Sequence, residues 1–174
     1  QIGWPLRYRG DATVEFDKDG NPLSKTVMLM GIVPSEAYPR FWRTLQEAIE
    51  KGTKLIVLDP RKSREASMAD VWLQPRPGTD TALLMAMINV IIQKGLYDKQ
   101  FVEKWCYGFD QLRERAKEYT PEKAAEICWV PAEKIVEAAI LYATNGPVVS
   151  FHGMGAEQQE SSLELIQAKT ILSA

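Results

Sequence analysis

An acid, a proline and two cations directly follow four apolar residues in LIVLDPRKS, residues 55–63. The carboxylate of Asp59 can accept paired hydrogen bonds from ribose hydroxyls or from the N–H edge of a guanine, and Arg61 can donate two parallel hydrogen bonds to a phosphate. Asp and Pro are also common in surface turns, where Arg61 would simply be solvated. The stretch alone therefore leaves open a surface turn and a ligand-binding loop.

Three further stretches carry residues that suit a polar ligand: GIVPSEAYP (31–39), PRPGTD (75–80) and HGMGAEQQ (152–159). Gly31 and Gly78 allow a close backbone approach. A helix that begins near Thr79, its expected N-cap, would point free N–H groups and its positive dipole end outward, which favours a phosphate. Asp80 can accept hydrogen bonds from a nucleoside, but it could equally be a first-turn acid that stabilises the helix.

The elements that must position these residues alternate between short apolar runs and helical patterns. The predicted strands are residues 28–30, 54–58, 71–73 and 148–151. Residues 38–51 predict an amphipathic helix, and residues 82–92 predict a helix that is apolar nearly all round and therefore buried. Further helices are predicted over 98–105, 109–119, 121–129, 131–143, with Pro121 and Pro131 at the first helical position, and from about 160.

This alternation predicts an α/β fold: a Rossmann-like parallel sheet of about four strands with flanking helices. Residues 13–16 and 25–30 could add a small N-terminal hairpin around Asp19-Gly20-Asn21. We therefore divide the chain into an irregular or hairpin segment, 1–26, and an α/β domain, 27–174. Parallel sheets bind ligands outside the carboxyl ends of their strands, near a change in strand order. The four loops would then share one rim, which favours a nucleotide-type ligand.

Composition and missing motifs exclude several other functions. The net charge of −2 gives no electrostatic case for nucleic acid or an anionic membrane, and no window predicts a transmembrane helix. Cys106 and Cys128 lack the spacing of a metal or redox site and are interpreted as buried thiols. His152, the only histidine, is a neutral side chain satisfied by a neighbour or a catalytic residue.

Motifs for other ligands are incomplete. A full GxGxxG fingerprint is absent, as are Walker A, HExxH and GxSxG. DKDGN begins like a calcium loop, but Pro22 and Met28 stand where Gly and Glu are needed. The chain also starts without Met and stops inside an amphipathic pattern, so we expect an internal fragment of a longer protein.

The ordered set DPR, AD, RPGTD, GLYD and FVEKW, preceded by GIVPSEAYP and followed by HGMGAEQQ, resembles the molybdopterin oxidoreductases of the dimethyl-sulfoxide-reductase type. Members of that family carry molybdenum or tungsten on two molybdopterin guanine dinucleotides. The resemblance covers the chain from about residue 27 to its end. It implies that this segment anchors the guanosine end of one dinucleotide.

The resemblance also implies roles for individual residues. The loop after the 54–58 strand would line the guanosine, and Gly78, Thr79 and Asp80 would face the same nucleotide. The segment 31–36, usually written Gly-Ser-Asn-Pro, would contact its phosphates and sugar, although Ile32 and Val33 replace the usual Ser and Asn. Two residues of the last loop would lie nearer the pterin. The implied binding residues outside 78–80 are Gly31, Ser35, Glu36, Asp59, Pro60, Arg61, Ser63, Met154 and Gln158.

The same resemblance places the iron–sulfur cysteines and the metal-ligating residue upstream, so we expect no cluster here, no cofactor on the isolated fragment and no activity of its own. Partners would be the remaining domains of the parent chain and, in some parents, electron-transfer subunits, without nucleic acid or membrane contact by this segment. The parent's chemistry would be redox transfer of an oxygen atom, sulfur or hydride, or non-redox hydration with the same cofactor. A non-catalytic α/β binding module is the alternative from another class. The compartment, cytoplasmic or periplasmic, stays open.

Overall fold

The computed structural model describes residues 14–174, which form one four-stranded parallel sheet with helices on both faces. The strands are β1 (Thr26–Met30), β2 (Lys54–Leu58), β3 (Val71–Leu73) and β4 (Val148–His152), in the spatial order β3-β2-β1-β4. In register, Met28 lies opposite Ile56 on one side and Ser150 on the other. The predicted fold class and the four predicted strands are confirmed.

Helices connect the strands and cover the sheet. They are α1 (Pro34–Ala37), α2 (Pro39–Glu50), α3 (Arg64–Met68), α4 (Asp80–Lys94), α5 (Lys99–Trp105), α6 (Phe109–Ala116), α7 (Pro121–Cys128), α8 (Ala132–Thr144), α9 (Met154–Glu157) and α10 (Ser162–Leu172). Of these, α1, α3 and α9 were not predicted, because four or five residues are too few to establish a helical period.

The core has two layers, one on each face of the sheet. Phe41, Leu45 and Ala48 of α2 pack on one face, and α4, α7, α8 and α10 pack on the other. Every residue of β1 is buried, which explains why this strand reads as an apolar run without alternation. All nine residues from Ala82 to Val90 of α4 are buried, as its apolar pattern predicts.

The N-terminal hairpin was wrong in its pairing. β1 pairs in parallel with β2 and β4, and it is Phe16 that forms a single antiparallel bridge with Pro22. The predicted turn is present, because the Asp17 carboxylate accepts hydrogen bonds from the backbone N–H groups of Asp19 and Asn21. Residue 13, part of the predicted hairpin, lies outside the described residues.

Three smaller predictions also need correction. Thr79 occupies the N-cap position of α4, but its hydroxyl donates to the carbonyl oxygen of Arg76 and does not cap the helix. Pro131 is the N-cap of α8 and not its first helical residue. Cys128 is buried as predicted, whereas Cys106 is only partly buried. No helix within residues 14–174 is both long and apolar enough to cross a membrane.

Candidate functional site

The order in which strands are added to the sheet reverses between β1 and β4. The chain runs from β1 outward to β2 and β3 on one side, and later returns to place β4 on the other side of β1. A crevice forms at such a switch point, outside the carboxyl ends of the strands. The four loops that follow the strands all begin at this edge, which we call the carboxyl edge.

Glycines bring the loops after β1 and β4 into direct backbone contact at the switch point. The N–H of Gly31 donates to Leu58, and the N–H groups of Gly153 and Gly155 donate to the carbonyl oxygens of Met30 and Gly31. Gly31 has φ +55°, and a Cβ there would lie 2.8 Å from the backbone nitrogen of Ala156. Gly31 is therefore required by the approach of the neighbouring loop as well as by its own backbone conformation.

The loop after β2 is a built turn around a buried acid. Asp59 is 7% exposed, and one carboxylate oxygen accepts from the backbone N–H of Arg61 at 2.8 Å. Burial raises the pKa of Asp59, partly offset by that hydrogen bond. Trp72 and Gln74 donate to the carbonyl oxygens of Asp59 and Pro60 and so fix the loop to β3. DPRKS is thus a turn, as the first interpretation has it. The turn also keeps the Asp59 carboxylate out of water, where it could bind a ligand, so the second interpretation is compatible with the first.

Arg61 reaches across to the loop after β1, where its guanidinium lies 3.0 Å from a carboxylate oxygen of Glu36. Both side chains are more than half exposed, so the ion pair is worth little in water. The pair links two predicted site residues across the edge. Only Nη2 of Arg61 contacts Glu36, so the guanidinium has further N–H groups that a phosphate could accept from.

Ser63 and Ser35 contribute to a buried polar contact that the sequence did not reveal. The hydroxyl oxygen of Ser63 caps α3 by accepting from the backbone N–H of Ala66. The backbone N–H of Ser35 donates to Glu65 at 2.7 Å. Glu65 is fully buried, and its second carboxylate oxygen has no hydrogen-bond partner in the described part of the chain. Its position after Arg64 gave no signal, since charged residues in a short surface helix are ordinary.

The loop after β3 ends in a tight turn that presents Asp80. The backbone N–H and the hydroxyl of Thr79 both donate to the carbonyl oxygen of Arg76. Gly78, which lies in the chain between Arg76 and Thr79, has φ +83°. Pro77 and Gly78 stand where a type II turn favours Pro and Gly. Asp80 then begins α4, and burial raises the pKa of its carboxyl, with the charge of Asp59 adding to the effect. Asp80 and Asp59 thus follow the adjacent strands β3 and β2 at the same edge.

Gln159, which the sequence did not single out, lies beside the loop that presents Asp80. Its amide nitrogen donates to the carbonyl oxygens of Gly155 and Ala156, and its side chain lies beside Asp80, whose pKa it lowers. The Gln159 amide oxygen is buried and has no partner among residues 14–174. Gln158 and Met154 are exposed on α9 and its end. The role of Gln159 depends on contacts with residues far away in sequence, and spacing alone could not reveal it.

His152 is satisfied on both ring nitrogens. Nδ1 lies 3.0 Å from the Lys169 ammonium, and Nε2 lies 3.2 Å from a carboxylate oxygen of Glu157. Because an ammonium can only donate, Nδ1 must accept and Nε2 carries the proton in the neutral ring. Burial lowers the pKa of His152, and the charge of Lys169 lowers it further. This arrangement agrees with the neutral, satisfied histidine.

The edge fits the polar end of a nucleotide better than a metal ion. No group of three or more His, Cys, Asp or Glu within residues 14–174 is placed to hold a metal. Two desolvated carboxylates offer acceptors for sugar and base, and Arg61 together with the positive dipole end of α4 suits a phosphate. The unpartnered oxygens of Glu65, Thr81 and Gln159 lie around the same loops. A ligand with both hydrogen-bond donors and negative charge matches this set.

The fold is a Rossmann-like α/β domain whose strand order reverses between β1 and β4. The sequence model for the molybdopterin oxidoreductases matches residues 19–172, and the chain belongs to that family. The family resemblance noted from the sequence motifs is thereby confirmed.

Individual relatives include enzymes of different chemistry. Acetylene hydratase of Syntrophotalea acetylenica is 48% identical over 130 residues, covering 75% of this chain and 18% of that protein. Formate dehydrogenase H of Escherichia coli is 36% identical over 147 residues, covering 84% of this chain and 21% of that protein. The solved structure of acetylene hydratase from Pelobacter acetylenicus superimposes with a TM-score of 0.86 at 40% identity, covering 93% of this chain and 22% of that chain. The chain therefore spans about a fifth of the length of these relatives.

Proposed function

We propose that this domain anchors the guanosine end of one molybdopterin guanine dinucleotide in a molybdenum or tungsten enzyme. The observation that carries the proposal is the position of two acids at the carboxyl ends of the adjacent strands β2 and β3: Asp59, which is 7% exposed and follows β2, and Asp80, which begins the helix after β3. Burial raises the pKa of both carboxyls. A carboxylate kept out of water at a cost to folding is typical of a binding site. Family membership supports the choice of cofactor.

Each residue would bind a different part of the nucleotide. The Asp80 carboxylate can accept two N–H groups from the edge of guanine, and that of Asp59 can accept the ribose hydroxyls. The positive dipole end of α4 favours a phosphate nearby, and Arg61 can donate to it through guanidinium N–H groups that do not contact Glu36. Gly31, Ser35, Glu36, Ser63, Gly78 and Thr79 would shape the loops, with Met154 and Gln158 on the side toward the pterin.

When bound, the cofactor supplies the chemistry at its metal, and the protein supplies binding, orientation and electrostatics. The residues of this domain hold a long anionic group by its tail and thereby fix the position of its reactive end. We expect the isolated chain to be inactive and to bind guanine nucleotides weakly or not at all. A site shared between domains loses contacts and preorganisation when the domains are separated.

The whole protein would be a redox enzyme of this family, transferring an oxygen atom, sulfur or hydride. A non-redox hydratase is the second candidate. The 48% identity to acetylene hydratase supports this candidate. Assays of the full-length enzyme with acetylene and with formate separate the two. Acetaldehyde formation without an electron acceptor supports the hydratase, and formate-dependent dye reduction supports the dehydrogenase.

The cofactor assignment is tested by Asp80→Asn in the full-length enzyme. Asn offers one acceptor where the carboxylate offers two, so a guanine N–H loses its partner at a cost of about 1–3 kcal/mol. We expect molybdenum or tungsten content, and GMP released by acid hydrolysis, to fall roughly fivefold to a hundredfold or more. Asp110→Asn is the matched control, because Asp110 is also a first-turn acid but is exposed in α6.

Asp110→Asn should leave the cofactor content unchanged. If Asp80→Asn also retains full metal and GMP content, Asp80 does not bind the nucleotide and the proposed site is wrong.

A further inference from the structure

Trp129 adopts a conformation that large side chains rarely adopt. Within residues 14–174 it is the one non-glycine residue with positive φ, at φ 62° and ψ 17°. It ends α7, at a helix terminus where glycine is common because the left-handed conformation is strained for other residues. The side chain is 70% exposed, so burial of the indole does not compensate for that strain. Residues held this way cluster at functional sites.

Backbone contacts connect Trp129 to the loop that presents Asp80. The carbonyl oxygen of Cys128, the preceding residue, accepts from the N–H of Arg76 at 2.8 Å. The carbonyl oxygen of Arg76 in turn accepts both donors of Thr79. A backbone hydrogen bond therefore joins the tight turn before α4 to the end of α7. The pKa of the Cys128 thiol, raised mainly by burial, is raised further by the charge of Asp80.

Arg76 lies over the indole of Trp129, with its guanidinium carbon 5.2 Å from the ring centroid. No carboxylate of the described residues lies within ion-pairing distance of this guanidinium, although Arg61, Arg113 and Arg115 each have such a partner. A cation over one face of the ring holds the indole in place and adds positive charge beside the α4 terminus. The free part of the ring remains open to solvent.

Resting on the proposed function, we propose that Trp129 stacks on the guanine base whose N–H edge is bound by Asp80, with Arg76 holding the indole ring. Aromatic side chains stack on nucleobases in many binding sites, because every base has a π face. The three groups match the three features of a guanine nucleotide: a donor edge, a flat face and negative phosphates. An apolar surface of another domain would match only the indole.

The roles of the two residues differ in a measurable way. Asp80 reads the edge of the base and so distinguishes GMP from IMP, which lacks the exocyclic amino group. Stacking tolerates either base, so Trp129 should contribute equally to both. Loss of Trp129 should therefore lower the affinities for GMP and IMP by the same factor and leave the ratio of the two affinities unchanged.

The test uses Trp129→Gly in the full-length, cofactor-free enzyme, with GMP and IMP titrated by calorimetry. We expect both affinities to fall by roughly fivefold to a hundredfold, the usual range for one stacked base. Gly suits the left-handed backbone, so the melting temperature should hold or rise. Trp129→Phe, which keeps an aromatic ring, should retain most of the affinity.

Trp105→Ala is the matched control, because Trp105 is 60% exposed and also lies beside a cation, Lys104, but on α5. It should not change either affinity. If Trp129→Gly leaves both affinities unchanged while Asp80→Asn reduces GMP binding, the stacking role is wrong and the proposed function stands. The stacking role is also wrong if Trp129→Gly lowers only the melting temperature, since the indole then packs against another domain. If Asp80→Asn also changes nothing, the proposed function itself fails.

Discussion

The two ends of the parallel sheet treat polar groups in opposite ways. At the amino end, the buried hydroxyls of Thr26 and Thr53 donate to the carbonyl oxygens of Asn145 and Ser24, each at 2.9 Å. Asp70, just before β3, accepts from the backbone N–H of Leu55 with one oxygen and from the Lys54 ammonium with the other. Every one of these side chains ties a strand to its neighbour.

The carboxyl edge retains unused hydrogen-bonding capacity. Four buried side-chain atoms have no partner within residues 14–174, and the oxygens of Glu65, Thr81 and Gln159 account for three of them. The fourth, on Asn89, lies where α4 meets α6. Buried polar groups are normally paired, so a cluster of unpaired ones needs an explanation. The contrast supports the proposal that the carboxyl edge binds a ligand, whereas the polar groups of the amino end stabilise the sheet.

Crowding at the carboxyl edge gives the largest expected effect on stability. Gly31→Ala adds a Cβ 2.8 Å from a backbone nitrogen at positive φ, and the free energy of unfolding should fall by about 2–4 kcal/mol from strain and overpacking. Gly52→Ala is the control, since Gly52 has φ +98° but nothing within 4 Å of its Cβ position. It should cost about 1–2 kcal/mol. If Gly31→Ala and Gly52→Ala lower the free energy of unfolding in urea equally, the contact between the loops after β1 and β4 is not tightly packed.

At the amino end, Asp70→Ala should destabilise the chain without touching the cofactor. The backbone N–H of Leu55 loses its acceptor, which costs about 1–3 kcal/mol, while the exposed Lys54 pair adds little. Asp70→Asn keeps an acceptor and should recover most of the loss in urea unfolding. A fall in metal or GMP content of the full-length Asp70→Ala enzyme, measured at a temperature where it stays folded, would break the division of roles between the two ends.

The sequence predicted the positions of these ends better than their chemistry. The bounds of β2 and β3 were predicted to the residue. Strands of a parallel sheet are covered on both faces, so a short apolar run in the sequence marks such a strand. The positions of Asp59 after β2 and of Asp80 at the start of α4 were also predicted, since an acid directly after a strand or at a helix start is visible in the sequence, while their binding role stays a prediction. The predictions missed Glu65 and Gln159, whose roles depend on contacts with Ser35 and with the loop before Asp80, 30 to 80 residues away.

Thr79 illustrates the same limit from the opposite direction. Its residue type and position predicted a cap, but a carbonyl oxygen three residues earlier competes for its hydroxyl once the Pro77-Gly78 turn forms. Local rules give the right position and the wrong hydrogen bond. The acceptor is near in sequence, but the contact depends on the conformation of the turn and not on residue type alone.

The pH dependence of stability should differ between the wild-type chain and Asp80→Asn. Burial raises the folded pKa of the Asp80 carboxyl above its unfolded value, so the folded state binds the proton more tightly. Its contribution to stability is present at low pH and is lost as pH rises from the unfolded pKa of about 3.8 through the folded one. At pH 7, Asp80→Asn should therefore unfold at the same or a higher urea concentration, within about 1 kcal/mol. A large loss of stability in this variant would make Asp80 a structural residue.

His152 is the exception at the carboxyl edge, because both of its ring nitrogens have partners, and its titration gives the smallest expected effect. The folded pKa of His152 lies below the usual 6.5, so the fold favours the neutral ring and the unfolded chain binds more protons between the two values. The contribution of His152 to the free energy of unfolding is therefore fully present above pH 6.5. It is lost as pH falls from 6.5 through the folded pKa. As the chain contains one histidine, a single NMR resonance reports its midpoint. Lys169→Met removes a neighbouring positive charge and should move the midpoint up, whereas Glu157→Gln removes a negative one and should move it down. If both substitutions move it the same way, burial alone sets the pKa and the two contacts do not hold the ring.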